Sequence, residues 1–399
     1  MGLNETPSAD RIHIGIFGKR NAGKSSVMNA LTNQNIAIVS DVRGTTTDPV
    51  LKAMELLPIG PVVMIDTPGI DDEGELGSLR VKKSYQMLNK TDIAVIVIDG
   101  AEECPEDSSL IERIKSKNIP YVIFHNKSDT IPVGYEKKNG HYYGSAVTKE
   151  GIPELKEAII KLSEVKDSGK RIIADLLEPL DTVVLVVPID SAAPQGRLIR
   201  PQQQTIRDIL EAGGISVVVR DSELEETLKK LGNPPKYVVT DSQAFEKVSA
   251  IVPKEIMLTS FSILFARYKG ILETAVRGAA SIDKLNDGDR ILISEGCTHH
   301  RQCDDIGTVK LPRWIKKHTG KEISIDFTSG TEFPDDLNGY SLVIHCGGCM
   351  LNEREVRYRY RQAEESGVPI TNYGTAIAYM NGILKRSVEP FEDIYKIII

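Results

Sequence analysis

Cys297-Thr298-His299 and, further along, His345-Cys346-Gly347-Gly348-Cys349 gather three of the chain's five cysteines and two of its seven histidines into two tight clusters. Thiolates and imidazoles so spaced ligate soft and borderline metals. Three cysteines with one further ligand suit a [4Fe–4S] cluster that has one replaceable iron ligand. They suit a tetrahedral Cys3His zinc site equally, and spacing does not separate the two. The fourth ligand stays open: His299 and His345 adjoin the cysteines, His300 follows, and Asp190 comes after an apolar run that should end at a sheet edge. Buried, inert thiols are the plain alternative. Cys303 is either a spare ligand or a bystander, and Cys104, beside Pro105, is given no role.

A second chemistry stands at the other end of the chain. An apolar run at 12–17 leads into Gly18-Lys19-Arg20-Asn21-Ala22-Gly23-Lys24-Ser25, followed by Ser26, which is a complete P-loop pattern between a strand and a helix. Backbone N–H groups of Asn21, Ala22, Gly23 and the residues through Ser26 should face phosphate, helped by the positive end of the helix that starts near Lys24. Lys24 should reach the β- and γ-phosphates, and Ser25 should ligate Mg²⁺. Asp66-Thr67-Pro68-Gly69 follows a second apolar run. Asp66 can hold the Mg²⁺ water shell, and the Gly69 N–H can meet the γ-phosphate. In Asn126-Lys127-Ser128-Asp129, the Asp129 carboxylate can accept from guanine N1 and N2, a pair that adenine lacks, so GTP and GDP are the expected nucleotides. Ser145-Ala146 should support guanine O6. Thr45-Thr46-Thr47 within 41–48 reads as a switch segment holding a γ-phosphate sensor.

These groups need elements to hold them. The chain has 399 residues, enough for two to four domains, each with its own core. Strand-like apolar runs at 183–187, 215–219 and 237–239 alternate with helical patterns at 203–212, 223–231 and 245–252. Beyond them, 260–281 reads as one long helix, 290–294, 323–327 and 342–344 as strands, and 311–317, 356–365 and 374–384 as helices. Such alternation predicts an α/β chain: a P-loop GTPase domain, 1–165, then two further α/β units with mainly parallel sheets, 172–265, which has no complete chemical motif and reads as a scaffold and self-association unit, and 266–399, which carries the cysteine clusters. The polar stretch 163–171 reads as a linker. If 290–294 and 342–344 are parallel neighbours, Cys297, Cys346 and Cys349 all lie at the carboxyl edge, where open α/β sheets place ligands. Glycines 296, 347 and 348 should let the thiols converge.

The net charge of −7 argues against broad nucleic-acid binding. No apolar run is long enough for a membrane helix and the first residues hold no apolar signal core, so a cytoplasmic protein is expected. Five unevenly spaced cysteines fit a reducing compartment with metal-bound thiolates better than a disulfide framework.

The set Asn21, Gly44-Thr45-Thr46-Thr47-Asp48, Asp66 to Gly69, Asn126 to Asp129 and Ser145-Ala146 resembles the TrmE–Era GTPases. That resemblance favours Thr46 as the second Mg²⁺ ligand, with Thr47 in place of the usual arginine. It implies that Asn21 helps hold a K⁺ ion that supplies the charge of an arginine finger. Ile70 stands where small signalling GTPases carry a water-orienting glutamine, so weak, K⁺-stimulated hydrolysis is expected. With the Cys-x-His and His-Cys-x-x-Cys groups added, the whole chain resembles the HydF family of [FeFe]-hydrogenase maturation. The resemblance implies a homodimer with GTPase, dimerisation and cluster domains, and a [4Fe–4S] cluster on Cys297, Cys346 and Cys349. It further implies a transient diiron precursor made with two radical-SAM maturases and passed to the apo-hydrogenase. The competing reading is a GTPase acting on RNA or ribosomes with a structural Cys3His zinc. A redox enzyme is a third, which four-cysteine ligation would suit better.

Overall fold

The computed structural model describes residues 8–33, 49–71, 74–130, 138–164, 169–189, 198–296, 305–330 and 332–398. Thr46, Asp190, Cys297, His299, His300 and Cys303 lie outside the described residues. The chain divides into two compact units, 1–169 and 170–399.

The first unit is built on six strands: β1 (Ile12–Gly18), β2 (Val50–Leu56), β3 (Gly60–Asp66), β4 (Ile93–Asp99), β5 (Tyr121–Asn126) and β6 (His141–Tyr143). Their order is β2-β3-β1-β4-β5-β6, and only β2 runs antiparallel to its neighbour. The central strands are apolar throughout because both faces are covered. Alternation along β4 divides them: Val95 and Val97 join Ile14, Ile16, Phe124 and Leu155 on one side, while Ala94, Ile96 and Ile98 join Phe17, Ile65 and Leu110 on the other. Glycine is required at position 18, where an added Cβ would meet the Val97 carbonyl oxygen at 2.2 Å.

The second unit holds two four-stranded sheets, both wholly parallel. One contains β7 (Thr182–Val186), β8 (Ile215–Val219), β9 (Tyr237–Thr240) and β10 (Met257–Ser260), in the order β10-β9-β7-β8. The other contains β11 (Arg290–Glu295), β12 (Ser324–Ser329), β13 (Leu342–His345) and β14 (Ile370–Asn372), in the order β12-β11-β13-β14. One apolar core joins the two sheets, running from Val184 and Val239 through Phe265 and Ala275 to Leu292 and Val343. Edge strand β8 leaves Ile215 and Val218 exposed.

Two helices differ from the sequence reading. The stretch 260–281 is broken into Phe261–Tyr268 and Leu272–Ala279, because Gly270 adopts φ +68° and turns the chain. The stretch 374–384 is interrupted in the same way at Gly382, with φ +68°.

Candidate functional site

The P-loop joins β1 to the helix Lys24–Thr32. Lys24 is buried and its Nζ donates to the carbonyls of Gly18 at 3.0 Å and Lys19 at 2.7 Å, so the ammonium lies within the loop. The Ser25 hydroxyl donates to Asp66 Oδ2 at 2.5 Å, which brings the two expected Mg²⁺ residues together across β1 and β3. Asp66 is 2% exposed, and its Oδ1 has no hydrogen-bond partner. Burial pushes this carboxyl above its usual range, while the Ser25 hydrogen bond and the Lys24 charge oppose the shift. An orphaned carboxylate oxygen beside a serine hydroxyl fits a hard cation held through water. Asn21 is exposed at the loop tip with φ +58°.

Gly69 lies against the loop: a Cβ there would meet Arg20 N at 2.9 Å, so only glycine lets this backbone come so near. The Arg20 N–H donates to Asp71 Oδ1 at 2.6 Å, a cross-link the motif reading did not foresee. Ile70 is 7% exposed and packs with Phe17 and Ile65. Its side chain therefore serves the core and offers nothing to a water molecule.

The guanine motif is tied to the P-loop through Asn126, at the end of β5. Its Nδ2 donates to Ala22 O at 2.8 Å, and its Oδ1 accepts from the Ala146 N–H at 3.0 Å. Gly23, at φ +89°, leaves the room: a Cβ there would stand 2.2 Å from Asn126 Nδ2. Lys127, at φ +62°, donates to Asp99 Oδ2 at 2.8 Å. Ser145 is buried and its Oγ accepts from the Val147 and Thr148 N–H groups, which shapes the turn behind Ala146. Asp129 is exposed in the short helix Ser128–Thr130. Cys104 receives a local role: with Asp107 it caps the helix Pro105–Ser116.

In the second unit, β11 and β13 are parallel neighbours with Ser294 opposite His345. Cys346 thus lies at the carboxyl edge, beside Gly296. Its Sγ accepts from Gly296 N at 3.0 Å and Gly348 N at 3.3 Å. Burial pushes the Cys346 thiol up, and those two N–H groups and the Lys269 ammonium pull it back. The two flanking glycines act differently from one another. Gly348 supplies φ +60°, whereas at Gly296 a Cβ would meet Leu351 at 2.7 Å, so space is what matters there. Gly347 needs neither.

Three cationic side chains that sequence reasoning missed surround this edge. Lys269, 6% exposed, donates to Gly348 O at 2.5 Å and also reaches Gly347 O. Arg200 donates to Cys349 O. Arg359, with no exposed surface, donates to Glu355 Oε1 at 2.9 and 3.0 Å and to Gly330 O at 2.7 Å. His345 is fully buried and has both nitrogens engaged: Nδ1 meets Cys346 O at 2.6 Å and Nε2 meets Arg359 Nη1 at 3.2 Å. Because Arg359 can only donate, Nε2 accepts and Nδ1 carries the proton. This removes the sequence-based reason for choosing His345 as a fourth ligand. The Lys269-Gly270 break in an apolar helical pattern is the one signal that could have pointed here.

The model of the hydrogen maturase F tetramerization domain matches residues 273–390, and that of the hydrogen maturase F dimerization domain matches residues 172–270. A 50S ribosome-binding GTPase model matches residues 13–127. The chain belongs to the hydrogen maturase F (HydF) family. The chain is similar to the GTPase Era of Rippkaea orientalis, 30% identical over 234 residues, covering 55% of this chain and 70% of that one. The tRNA modification GTPase MnmE of Endomicrobium trichonymphae is 34% identical over 168 residues, which are 39% of this chain and 36% of the relative. The chain thus spans only about a third of the MnmE proteins it matches. A solved Era structure from Aquifex aeolicus with GDP and aluminium fluoride overlays 55% of this chain and 98% of its own at 20% identity and a TM-score of 0.35. As a HydF-type GTPase the chain binds GTP and GDP with Mg²⁺ and hydrolyses GTP, and its later domains are those through which the family self-associates.

Proposed function

We propose that this chain is a GTP-regulated scaffold and carrier that holds a [4Fe–4S] cluster on Cys297, Cys346 and Cys349 during [FeFe]-hydrogenase maturation. The observation that carries this reading is the sulfur of Cys346, set at a sheet edge and accepting two backbone N–H bonds. Hydrogen bonds to a ligating sulfur stabilise the thiolate and tune a cluster. Lys269 and Arg200, bound to carbonyls of the same loop, offset the negative charge such a centre brings. When bound, the cluster supplies an iron with an exchangeable ligand, for which His299 and Asp190 remain the candidates. Arg359 and His345 act by positioning the Cys346 loop.

On this reading the cargo is a diiron precursor made with two radical-SAM maturases, and the recipient is apo-[FeFe]-hydrogenase in the cytoplasm. Nucleotide state biases the switch segment, with Thr46 as a Mg²⁺ ligand, and so biases partner release. Asn21, exposed at the P-loop tip, holds K⁺, which supplies the charge of an arginine finger, while Ile70 leaves the attacking water without an orienting side chain. We take the chain as three domains, 1–165, 172–265 and 266–399, and as a homodimer; the exposed apolar edge of β8 supports self-association. The test is hydrogenase activation. Chain loaded by both maturases should activate the apo-enzyme, and Cys346→Ala should not. Equal activation by that variant would refute the scaffold role. An unmodified chain that holds zinc and binds ribosomal RNA instead would favour the competing RNA-directed reading.

A further inference from the structure

Three residues outside every motif above converge beside β5 and β6 of the first sheet. His125 is on β5, directly before the guanine motif; His141 is on β6; Glu103 is in the turn before the helix Pro105–Ser116. One ligand atom from each lies within 4.8 Å of the others, the one such grouping of histidine, cysteine and carboxylate among the described residues. His125 Nε2 is 3.0 Å from His141 Nδ1, and that nitrogen is 3.8 Å from Glu103 Oε1. Two ligand atoms bound to one tetrahedral zinc at about 2.0–2.1 Å stand roughly 3.3 Å apart. The observed separations straddle that value, so small side-chain rotations bring all three onto one ion.

The tautomer is already that of a ligand. His125 Nδ1 lies 3.0 Å from the Gly100 carbonyl, which can only accept, so Nδ1 carries the proton and the Nε2 lone pair faces His141 and Glu103. Metal-bound histidines usually hold their second nitrogen in this way. Tyr143 stacks on the His125 ring at 4.4 Å between centroids and fixes its plane. Burial holds both histidines below their ordinary range, which keeps them neutral, and the Lys138 ammonium holds Glu103 below its own. His141 Nδ1 donates its proton to His125 Nε2 in the empty site, and that proton moves to His141 Nε2 as a metal takes its place. That ammonium, 2.6 Å from Glu103 Oε1, is the cation an ion must displace or share the carboxylate with. We propose that Glu103, His125 and His141 form a binding site for a borderline divalent transition metal, zinc or cobalt, with a fourth position open to water. The site shares no residue with the cysteine centre and does not depend on its reading. It adjoins the nucleotide pocket, since the Gly100 N–H donates to the Asn126 carbonyl at 3.1 Å.

The test uses the full chain with Cys297→Ser, Cys346→Ser and Cys349→Ser, stripped of metal and titrated with Co²⁺ without nucleotide. The expected result is one Co²⁺ per chain with the visible absorption of a four- or five-coordinate nitrogen and oxygen site and no thiolate-to-cobalt charge-transfer band. Glu103→Gln and His141→Ala, both at partly exposed positions that should keep the fold, should each weaken binding by at least about tenfold with an unchanged metal-free melting temperature. Absence of stoichiometric Co²⁺, a thiolate band, or binding that His141→Ala leaves intact would overturn the proposal.

Discussion

Replacing Arg359 by methionine should unfold the second unit at a markedly lower temperature. Arg359 is wholly buried against Glu355, itself 4% exposed, and it also donates to Gly330 O and His345. Arg359→Met leaves the Glu355 carboxylate buried without its cation. Breaking one side of a buried pair costs about 3–5 kcal/mol, whereas replacing both partners by apolar groups is often neutral. In Arg359→Met with Glu355→Met, the remaining loss is the Gly330 carbonyl and His345 Nε2 left unsatisfied, together about 1–3 kcal/mol. The single variant should therefore be less stable than the double by roughly 2 kcal/mol. For a unit of this size each kcal/mol moves Tm by about 2–4 °C, so the single substitution should lower it by about 6–20 °C. Scanning calorimetry of the full chain with and without GDP reads this directly. The transition that GDP leaves in place is that of the second unit, since a ligand stabilises only what it binds. Equal losses in the single and double variants would show that Glu355 does not depend on Arg359, and the reasoning would fail.

Three further outcomes concern the nucleotide site. Gly23→Ala places a methyl 2.2 Å from Asn126 Nδ2 and forces φ +89° on a residue with a side chain; strain and the lost Asn126 bonds together should cost about 2–4 kcal/mol, read as GDP affinity weakened by roughly 30- to 1,000-fold. Unchanged affinity would mean that Asn126 does not brace the loop. Asp129→Asn should move preference from guanine to xanthine nucleotides in a competition assay, because the amide offers a donor where xanthine carries a carbonyl. Hydrolysis should be faster in K⁺ than in Na⁺ at matched ionic strength and should lose that difference in Asn21→Ala; equal rates for the unmodified chain in the two salts would exclude the K⁺ role.

What the sequence disclosed followed from how local the chemistry is. The P-loop and the guanine motif are contiguous, so strand, glycine turn and helix could be placed from residue type alone. Likewise, two apolar runs ending just before cysteines were enough to expect parallel β11 and β13, and they are neighbours. Antiparallel β2 escaped because its outer position leaves Val50 and Leu51 exposed, so no buried run marks it. The long helix expected at 260–281 failed because an apolar periodicity hid the break at Gly270, where φ is +68°. Lys269, Arg200 and Arg359 reach the cysteine edge from three separate helices or their ends, and a lone basic residue in a helix reads as solvated. Glu103, His125 and His141 likewise meet only after the sheet forms.

The central claim is that the cysteine edge holds an iron–sulfur cluster, and it is most directly tested by iron and acid-labile sulfide content of anaerobically purified chain, with EPR after reduction. The account predicts about four irons and four sulfides per chain, the signal of a reduced [4Fe–4S] cluster, and loss of all three in Cys346→Ala. One tightly held zinc with no iron, or a cluster that survives Cys346→Ala, would contradict it.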